Sequence, residues 1–570
     1  MSEFDTSVTQ ASITRRGMLA ITGASASLMA APAAAEERAR IQFAHGVASG
    51  DPLTDRVIIW TRISGTSAVV EGVWEVAEDD SFKKCVRQGA FITESARDHT
   101  VKIDVPGLRP GKQYFYRFRA ESAVSPTGRT KTLPSETDRL VLVAASCAMY
   151  PNGYFNAYRA IADLTDLDVV VFLGDYIYEY GADPDAFGMD NGLRLGRIPD
   201  PPHEIISLDD YRRRHAQCRA ESELQAAHAR AAWICVFDDH EIANNPWTDG
   251  AENHNPDQGE GDWMTRKTCA IQAWREWMPI RDPAPGQLRE AIYRSFRFGH
   301  LAELTMLETR LLARSRQLDY ASDIPKKDDD RDIDAFCSRL NDPRRELLGA
   351  EQRGWLDACL ASSVQAGVHW QLLGSQVIMA RINSPNYYTV LGDDRVNATL
   401  AALPANDRAG LTSQLDLFTN SRRLPYNLDA WDGYPAERER LYEIAHRAKA
   451  RLIVVSGDSH CAWANNLSDQ NGQPVGVEIG VTAITSPTHW PDPWFPDFEL
   501  TDALVAQSDE VVAADDRHNG FARLTITRNE VRAEWMAVST IDSRDFSLSV
   551  RRTFRVTDLP YPKLTKHNAV

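Results

Sequence analysis

Apolar residues run without a break through Val169-Val170-Val171-Phe172-Leu173 and stop at Gly174-Asp175. A short, continuous, β-branched run of this kind predicts a strand covered on both faces. Gly174 lets the backbone turn and approach whatever Asp175 holds. Three other stretches share the arrangement. Leu140 to Ser146 ends at Cys147, Trp233 to Phe237 ends at Asp238-Asp239-His240-Glu241, and Leu452 to Ser456 ends at Gly457-Asp458-Ser459-His460. Between them, Tyr154 to Leu164, Leu208 to Ala232, Leu347 to Ala361 and Ala436 to Ala450 read as helices with polar residues on one face. Strands alternating with helices predict an α/β domain with crossover connections. In such sheets ligands gather at the carboxyl ends of the strands. Four strands tipped with metal-competent side chains therefore point to one convergent site.

The chain before this region has a different rhythm. From about residue 41 to 134, short alternating runs recur at Val57 to Trp60, Val69 to Val76, Thr100 to Val105 and Tyr114 to Phe118, separated by Gly, Pro and Asp. That pattern predicts an all-β domain. Leu108 to Tyr114 resembles the loop and tyrosine corner of fibronectin-type sandwiches. His45 stands just before Gly46, either within reach of a neighbouring site or as a structural histidine. Lys131 to Thr137 reads as the linker, and residues 139–560 as the catalytic α/β domain. Residues 181–207 and 244–262 are rich in Asp, Asn, Gly and Pro without a period, as functional loops of this length usually are. The acidic runs Asp328-Asp329-Asp330 and Asp515-Asp516 read as solvated surface.

Residues 1–35 carry the pattern Arg15-Arg16, then a weakly apolar Ala/Gly/Ser-rich run ending in Ala33-Ala34-Ala35. This predicts a twin-arginine signal peptide, with the export machinery as partner and a periplasmic or secreted product. The run is too short and polar for a membrane span.

Composition narrows the function. The 570 residues predict more than one domain, and 43% hydrophobic with 25% charged residues describe a soluble globular protein. A net charge of −17 argues against a stable nucleic-acid partner. It leaves room for an anionic small-molecule substrate, because bound cations can be the largest local charges. Eight cysteines without a C-x-x-C pair are not a disulfide scaffold.

A two-metal site needs a bridging carboxylate and terminal ligands on each ion. Asp175 is the bridge candidate, and Tyr178 three residues on can reach the same ion as a phenolate. Cys147 offers a thiolate; Asp239 and Asp458 offer hard oxygens that also suit calcium. His240 and His460 can ligate or donate a proton. Each taken singly is as readily structural; their joint placement favours function. Ser146 lacks a G-x-S-x-G elbow and is no nucleophile candidate. Cys461, Trp274 and Trp277 read as core. Arg310 reads either as a phosphate clamp or as half of a structural ion pair.

Ser146-Cys147, Gly174 to Glu179, Asp238 to Glu241, Trp431-Asp432-Gly433-Tyr434-Pro435 and Ser456 to His460 together resemble the PhoD-type alkaline phosphatases, exported phosphoesterases of the metallophosphoesterase group. The resemblance spans about residues 43 to 556. It implies a four-layer α/β/β/α sandwich preceded by a fibronectin/Ig-like β domain, with an Fe3+ and Ca2+ centre. By it, Cys147, Asp175 and Tyr178 match iron ligands, and Asp175 also bridges to calcium. Asp239 matches a calcium ligand, His240 the phosphate-contacting histidine, and Asp458 with His460 the last metal motif. Glu308 stands where the family usually has Asp. The catalytic roles fall to His240 and Asp239, with His240 and Arg310 facing substrate.

The expected reaction is attack of a metal-bound hydroxide on a phosphate monoester, and possible substrates extend to diesters. Rival readings are a phosphodiesterase or phospholipase D-like enzyme at the same site, and a non-catalytic exported binding protein. The last does not explain four strands tipped with metal-competent side chains.

Overall fold

The four tipped stretches are strands, but they belong to two sheets. Arg139–Ala145, Val169–Phe172 and Ala232–Cys235 lie side by side and parallel, with Val169 opposite both Leu142 and Ala232. Leu452–Ser456 lies in a second sheet, parallel to Trp370–Ser375 on one side and Pro474–Gly480 on the other. The computed structural model describes residues 40–566, apart from residues 67, 328–329, 420–422, 490–491, 493 and 558–560. The signal-like stretch 1–35 and two members of the Asp328 run thus lie outside the described residues.

The first sheet has ten strands. From edge to edge they are Lys563–Lys566, Leu548–Thr557, Val531–Val538, Gly520–Thr527, Arg139–Ala145, Val169–Phe172, Ala232–Cys235, Val47–Gly50, Arg56–Arg62 and Thr100–Pro106. The second has seven, with Ala302–Met306, Trp370–Ser375, Leu452–Ser456 and Pro474–Gly480 as its parallel centre. Period-two alternation sets the layers. Ile453 and Val455 belong to the same core as Val169, Val171 and Ile234, which point to the opposite face of the first sheet from Phe172 and Trp233. Leu452 and Val454 face the other way, against Leu356 and Leu360 of helix Gly349–Gln365 and Leu441 and Tyr442 of helix Pro435–Ala448. On the first sheet, Tyr158 of helix Asn156–Asp163 meets Phe172 and Trp233. The result is the expected four-layer α/β/β/α sandwich.

The segment 41–134 does not keep a sheet pair to itself. Val70–Ala77, Cys85–Thr93 and Gln113–Ala120 form a small separate sheet. Its apolar face, including Trp74, Val76, Tyr116 and Phe118, packs on Val57, Ile59, Val101 and Val105. Those last four residues sit on strands of the ten-stranded sheet. The reason is Val47–Gly50, which pairs parallel to Ala232–Cys235, Ser49 opposite Ala232 and Gly50 opposite Trp233. A sandwich is present, but one of its two sheets continues into the α/β region.

Local readings differ from the structure at two further places. Leu208 to Ala232 is two helices, Leu208–Arg219 and Ser222–Arg230. No glycine or proline breaks them. Arg197 at 3.2 Å and Arg544 at 3.0 Å hold Glu221 at the joint, and Gln225 Nε2 donates to Arg219 O. Helices Tyr387–Leu391, Asp393–Ala402 and Ala405–Phe418 form an insertion whose residues Tyr387, Val396, Leu411 and Leu415 share a small core with Phe495 and Phe498. Among the described residues, no helix is long and apolar enough to cross a membrane.

Candidate metal centre and cavity

The strand ends are built to deliver side chains inward. Cys147, Asp175, Asp458 and His460 all have left-handed backbone, with φ between 56° and 66°. L-residues rarely adopt this region, and it concentrates at functional sites. Gly174 at φ 111° cannot be replaced, because a Cβ there would lie 2.3 Å from Asp238 Cβ. Glu241 ties the turns together. Its buried carboxylate accepts from the amides of Asp175 at 2.9 Å, Tyr176 at 2.6 Å and Asp238 at 2.8 Å. The two sheets meet here as well, since Ile484 N donates to Ser146 O at 3.0 Å.

Three groups of donor atoms result. Cys147, Asp175 and His460 form the first; Asp175, Asp239 and His240 the second; Asp238, Asp239 and Asp458 the third. Within each group the donor atoms lie within 4.8 Å of one another. Tyr178 joins the first, its hydroxyl 3.1 Å from Asp175 Oδ2 and 3.2 Å from His460 Nε2, with Ser486 Oγ at 2.6 Å. The geometry thus separates Asp458 from His460 although one residue lies between them. The first group mixes a thiol, a phenol, an imidazole and a carboxylate. The third is all oxygen.

The donor set fits cations. Burial pushes the Cys147 thiol and the Tyr178 phenol well up, and Asp175 adds to both. Asp175 itself is raised by burial and by Asp239; Asp458 is pushed up to about 7 by burial against the pull of Arg310. Crowding of buried anion-forming groups is costly unless a positive charge is placed among them. Asp238 Oδ2 and Asp239 Oδ1 are buried without a hydrogen-bond partner among the described residues. His460 Nδ1 is fixed by Pro487 O at 2.9 Å, and burial pulls the ring down to about 4. A neutral imidazole is therefore left with Nε2 facing Tyr178.

His240 is arranged differently. Its Nδ1 is 2.7 Å from Glu179 Oε2, and its ring stacks on Tyr178 at 4.2 Å. Burial alone would lower His240, but Asp239, Glu179 and Asp175 lift it well above its ordinary value. Glu179 is fully buried, and its other oxygen accepts from Asn244 N and Asn253 Nδ2, each at 2.7 Å. The imidazole is therefore oriented by Glu179, with Nδ1 committed to that carboxylate.

Arg310, expected as a clamp or an ion pair, forms ion pairs. It is fully buried, with Asp238 at 2.5 Å, Asp429 at 2.6 Å and Asp458 at 2.8 Å. Glu308 makes the turn that carries it, accepting from the amides of Arg310 at 2.8 Å, Leu311 at 2.7 Å and Leu312 at 2.9 Å. The remaining candidates are structural. His45 packs on Trp277 at 5.1 Å, Ser146 Oγ accepts from Cys147 Sγ, and Trp274, Trp277 and Cys461 are buried.

Above these groups opens a cavity of about 410 Å³ whose lining includes Asp175, Asp239, His240, Asp458 and His460. Comparison with known proteins identifies the architecture. The PhoD-like phosphatase model matches residues 142–535, and its N-terminal domain model residues 29–134. The chain belongs to the PhoD-like phosphatase family. It is 33% identical over 532 residues to alkaline phosphatase D of Bacillus subtilis (strain 168), covering 90% of this chain and 80% of that protein. The solved structure of PhoD superposes with a TM-score of 0.75 at 32% identity, covering 93% of this chain and 92% of that one. This PhoD-like phosphatase is accordingly a phosphoric ester hydrolase. Glu179, Asp238 and Glu241 stand within the motifs, but residue type alone assigns them no role; of the three, only Asp238 and Glu241 lie beside His240 in the sequence. Ser486 carries no such signal.

Proposed function

We propose that this PhoD-like phosphatase is an exported, metal-dependent hydrolase of phosphate monoesters. The observation that carries the reading is the chain of three donor groups, linked through Asp175 and Asp239, on the wall of one cavity. Cys147, Asp175, Tyr178 and His460 would hold one ion, and Asp238, Asp239 and Asp458 a second. The first set, with thiolate and phenolate, suits Fe3+; the second, all oxygen, suits Ca2+. Bound there, such ions polarise the ester and lower the pKa of water.

The chain's own residues do the rest. His240 is held by Glu179 at Nδ1, which leaves Nε2 as the nitrogen that would donate a proton to the departing alkoxide. Asp239 sits 3.8 Å from that nitrogen and favours the protonated ring. Arg310 neutralises Asp238, Asp429 and Asp458 from beneath and makes no claim on substrate. Diesters are the second reading, because the lining of the cavity extends beyond the donor groups to Ile382, Leu500 and Leu504.

The deciding experiment is a panel of mono- and diesters before and after chelation, with iron and calcium returned separately and together. Full turnover by metal-free protein would sink the reading. Export rests on Arg15 and Arg16. Changing both to Lys is expected to retain the precursor in the cytoplasm, and unchanged export would reject it.

A further inference from the structure

The cavity changes character away from the donor groups. One wall is the segment after Trp370–Ser375, which runs outside any strand. Buried carboxylates satisfy its amides. Glu478 accepts from Met379 N at 2.7 Å and Ala380 N at 3.0 Å, Glu510 from Arg381 N at 2.8 Å, and Asp432 from Ile382 N at 2.8 Å. Alternate residues then part company. Ile378, Ala380 and Ile382 line the cavity, while Met379 enters the core and Arg381 pairs with Glu439 and Glu510. Leu500 and Leu504, one turn apart on helix Leu500–Gln507, and Trp463 complete an apolar lining.

Tyr426, Asn427 and Thr488 also line the cavity, but the polar groups on this apolar wall are taken. The amides of residues 379–382 are taken, and Trp463 Nε1 donates to Ser459 Oγ at 2.9 Å. Asp432 is paired with Arg438 at 2.6 Å. Asp516 accepts from Thr501 Oγ1 at 3.1 Å and faces His489. Among the described residues lining the cavity there is no lysine or arginine. A second anionic group on the alcohol would find no counter-charge. A polyol set against Ile378, Ala380, Ile382, Leu500 and Leu504 would bury hydroxyls without partners, which costs free energy.

We propose that the lobe binds the alcohol part of the substrate, and that this alcohol is uncharged and apolar, an alkyl or aryl chain. The inference rests on the phosphoesterase reading and names its substrate class. Wall residues Ile382 and Leu504 would set the specificity.

The test is kcat/KM of the holoenzyme, purified with its own metals, on n-alkyl phosphates from methyl to hexyl. The value is expected to rise roughly fourfold per added methylene, the factor given by burying one CH2, until the lobe is filled. In Ile382→Ala and Leu504→Ala, each compared with its own methyl phosphate rate, the rise per methylene is expected to shrink. Glycerol phosphate and a sugar bisphosphate are expected to be poorer than propyl phosphate. Equal rates along the alkyl series would overturn the inference and leave the phosphoesterase reading standing. No turnover of any ester would overturn both. Faster turnover of an ester bearing a quaternary ammonium than of every alkyl ester would overturn it in favour of a cation recognised by Asp516 and Tyr426.

Discussion

Glu179 holds the imidazole of His240 by a 2.7 Å contact at Nδ1, from a carboxylate that no solvent reaches. Burial alone would push the Glu179 carboxyl up; the neighbouring His240 brings it below its ordinary value. The contact commits Nδ1 to that carboxylate and leaves Nε2 as the nitrogen that would donate a proton. Glu179→Gln keeps the shape but not the charge. We expect kcat to fall about 10- to 100-fold, the usual cost of losing an orienting partner, with a smaller change in KM. Steady-state kinetics with a circular dichroism control would check this, and unchanged kcat would remove His240 as the proton donor.

Arg310→Ala is expected to act on stability before it acts on substrate. It would leave Asp238 and Asp458 buried without the arginine they share, while Asp429 keeps Arg314. Removing one partner of a buried ion pair costs about 3–5 kcal/mol. Denaturant unfolding of the holoprotein would measure it. A near-native midpoint with a raised KM would instead make Arg310 a phosphate ligand.

The mixed donor group predicts a coloured protein, because thiolate and phenolate on ferric iron absorb in the visible. Tyr178→Phe is expected to shift or bleach the band and keep the fold. Cys147→Ser is expected to weaken iron retention. Asp175→Asn is expected to do worst, because Asp175 belongs to two donor groups at once. Absorption and elemental analysis would order the three. A colourless protein holding zinc or calcium alone would remove iron but keep the two-group geometry.

Acid sensitivity has a source remote from the centre. His215 is fully buried with no hydrogen-bond partner on either ring nitrogen among the described residues, and stacks on Trp277 at 6.1 Å. Burial, and then Arg219, pull it from 6.5 to about 3. The folded ring stays neutral while the unfolded one takes up a proton below pH 6.5. Stability is therefore lost as pH falls from 6.5 towards 3. For this one group the loss between pH 7 and 5 is about 2 kcal/mol. His215→Phe is expected to lose less stability than the parent over that interval by about this amount. Equal losses in denaturant titrations at the two pH values would reject the assignment.

Much of this was legible because the signals are local. Continuous apolar runs ending in metal-competent side chains gave the strands that carry the site. The tyrosine corner appears as Tyr114 OH accepting from Arg109 N at 2.8 Å. What was not legible depends on distant segments. Asp458 and His460 join different donor groups because both lie in left-handed backbone, which no pattern of residue types announces. Arg310 could not be placed without Asp238, Asp429 and Asp458, which come from three separate segments. The Glu221 break is set by arginines at positions 197 and 544 rather than by any helix breaker.

The pairing of Ser49 with Ala232 sets a schedule for biosynthesis. Val47–Gly50 and Arg56–Arg62 leave the ribosome early, but the strand that covers the open side of Val47–Gly50 comes far later. At usual elongation rates the chain between Ser49 and Ala232 takes roughly ten to forty seconds to make. For that interval one edge of the early hairpin is a bare row of amides and carbonyls, a template for any other extended chain. Nascent chains that stop short of Ala232 therefore carry that edge uncovered, and a chaperone that binds extended chain has its site there.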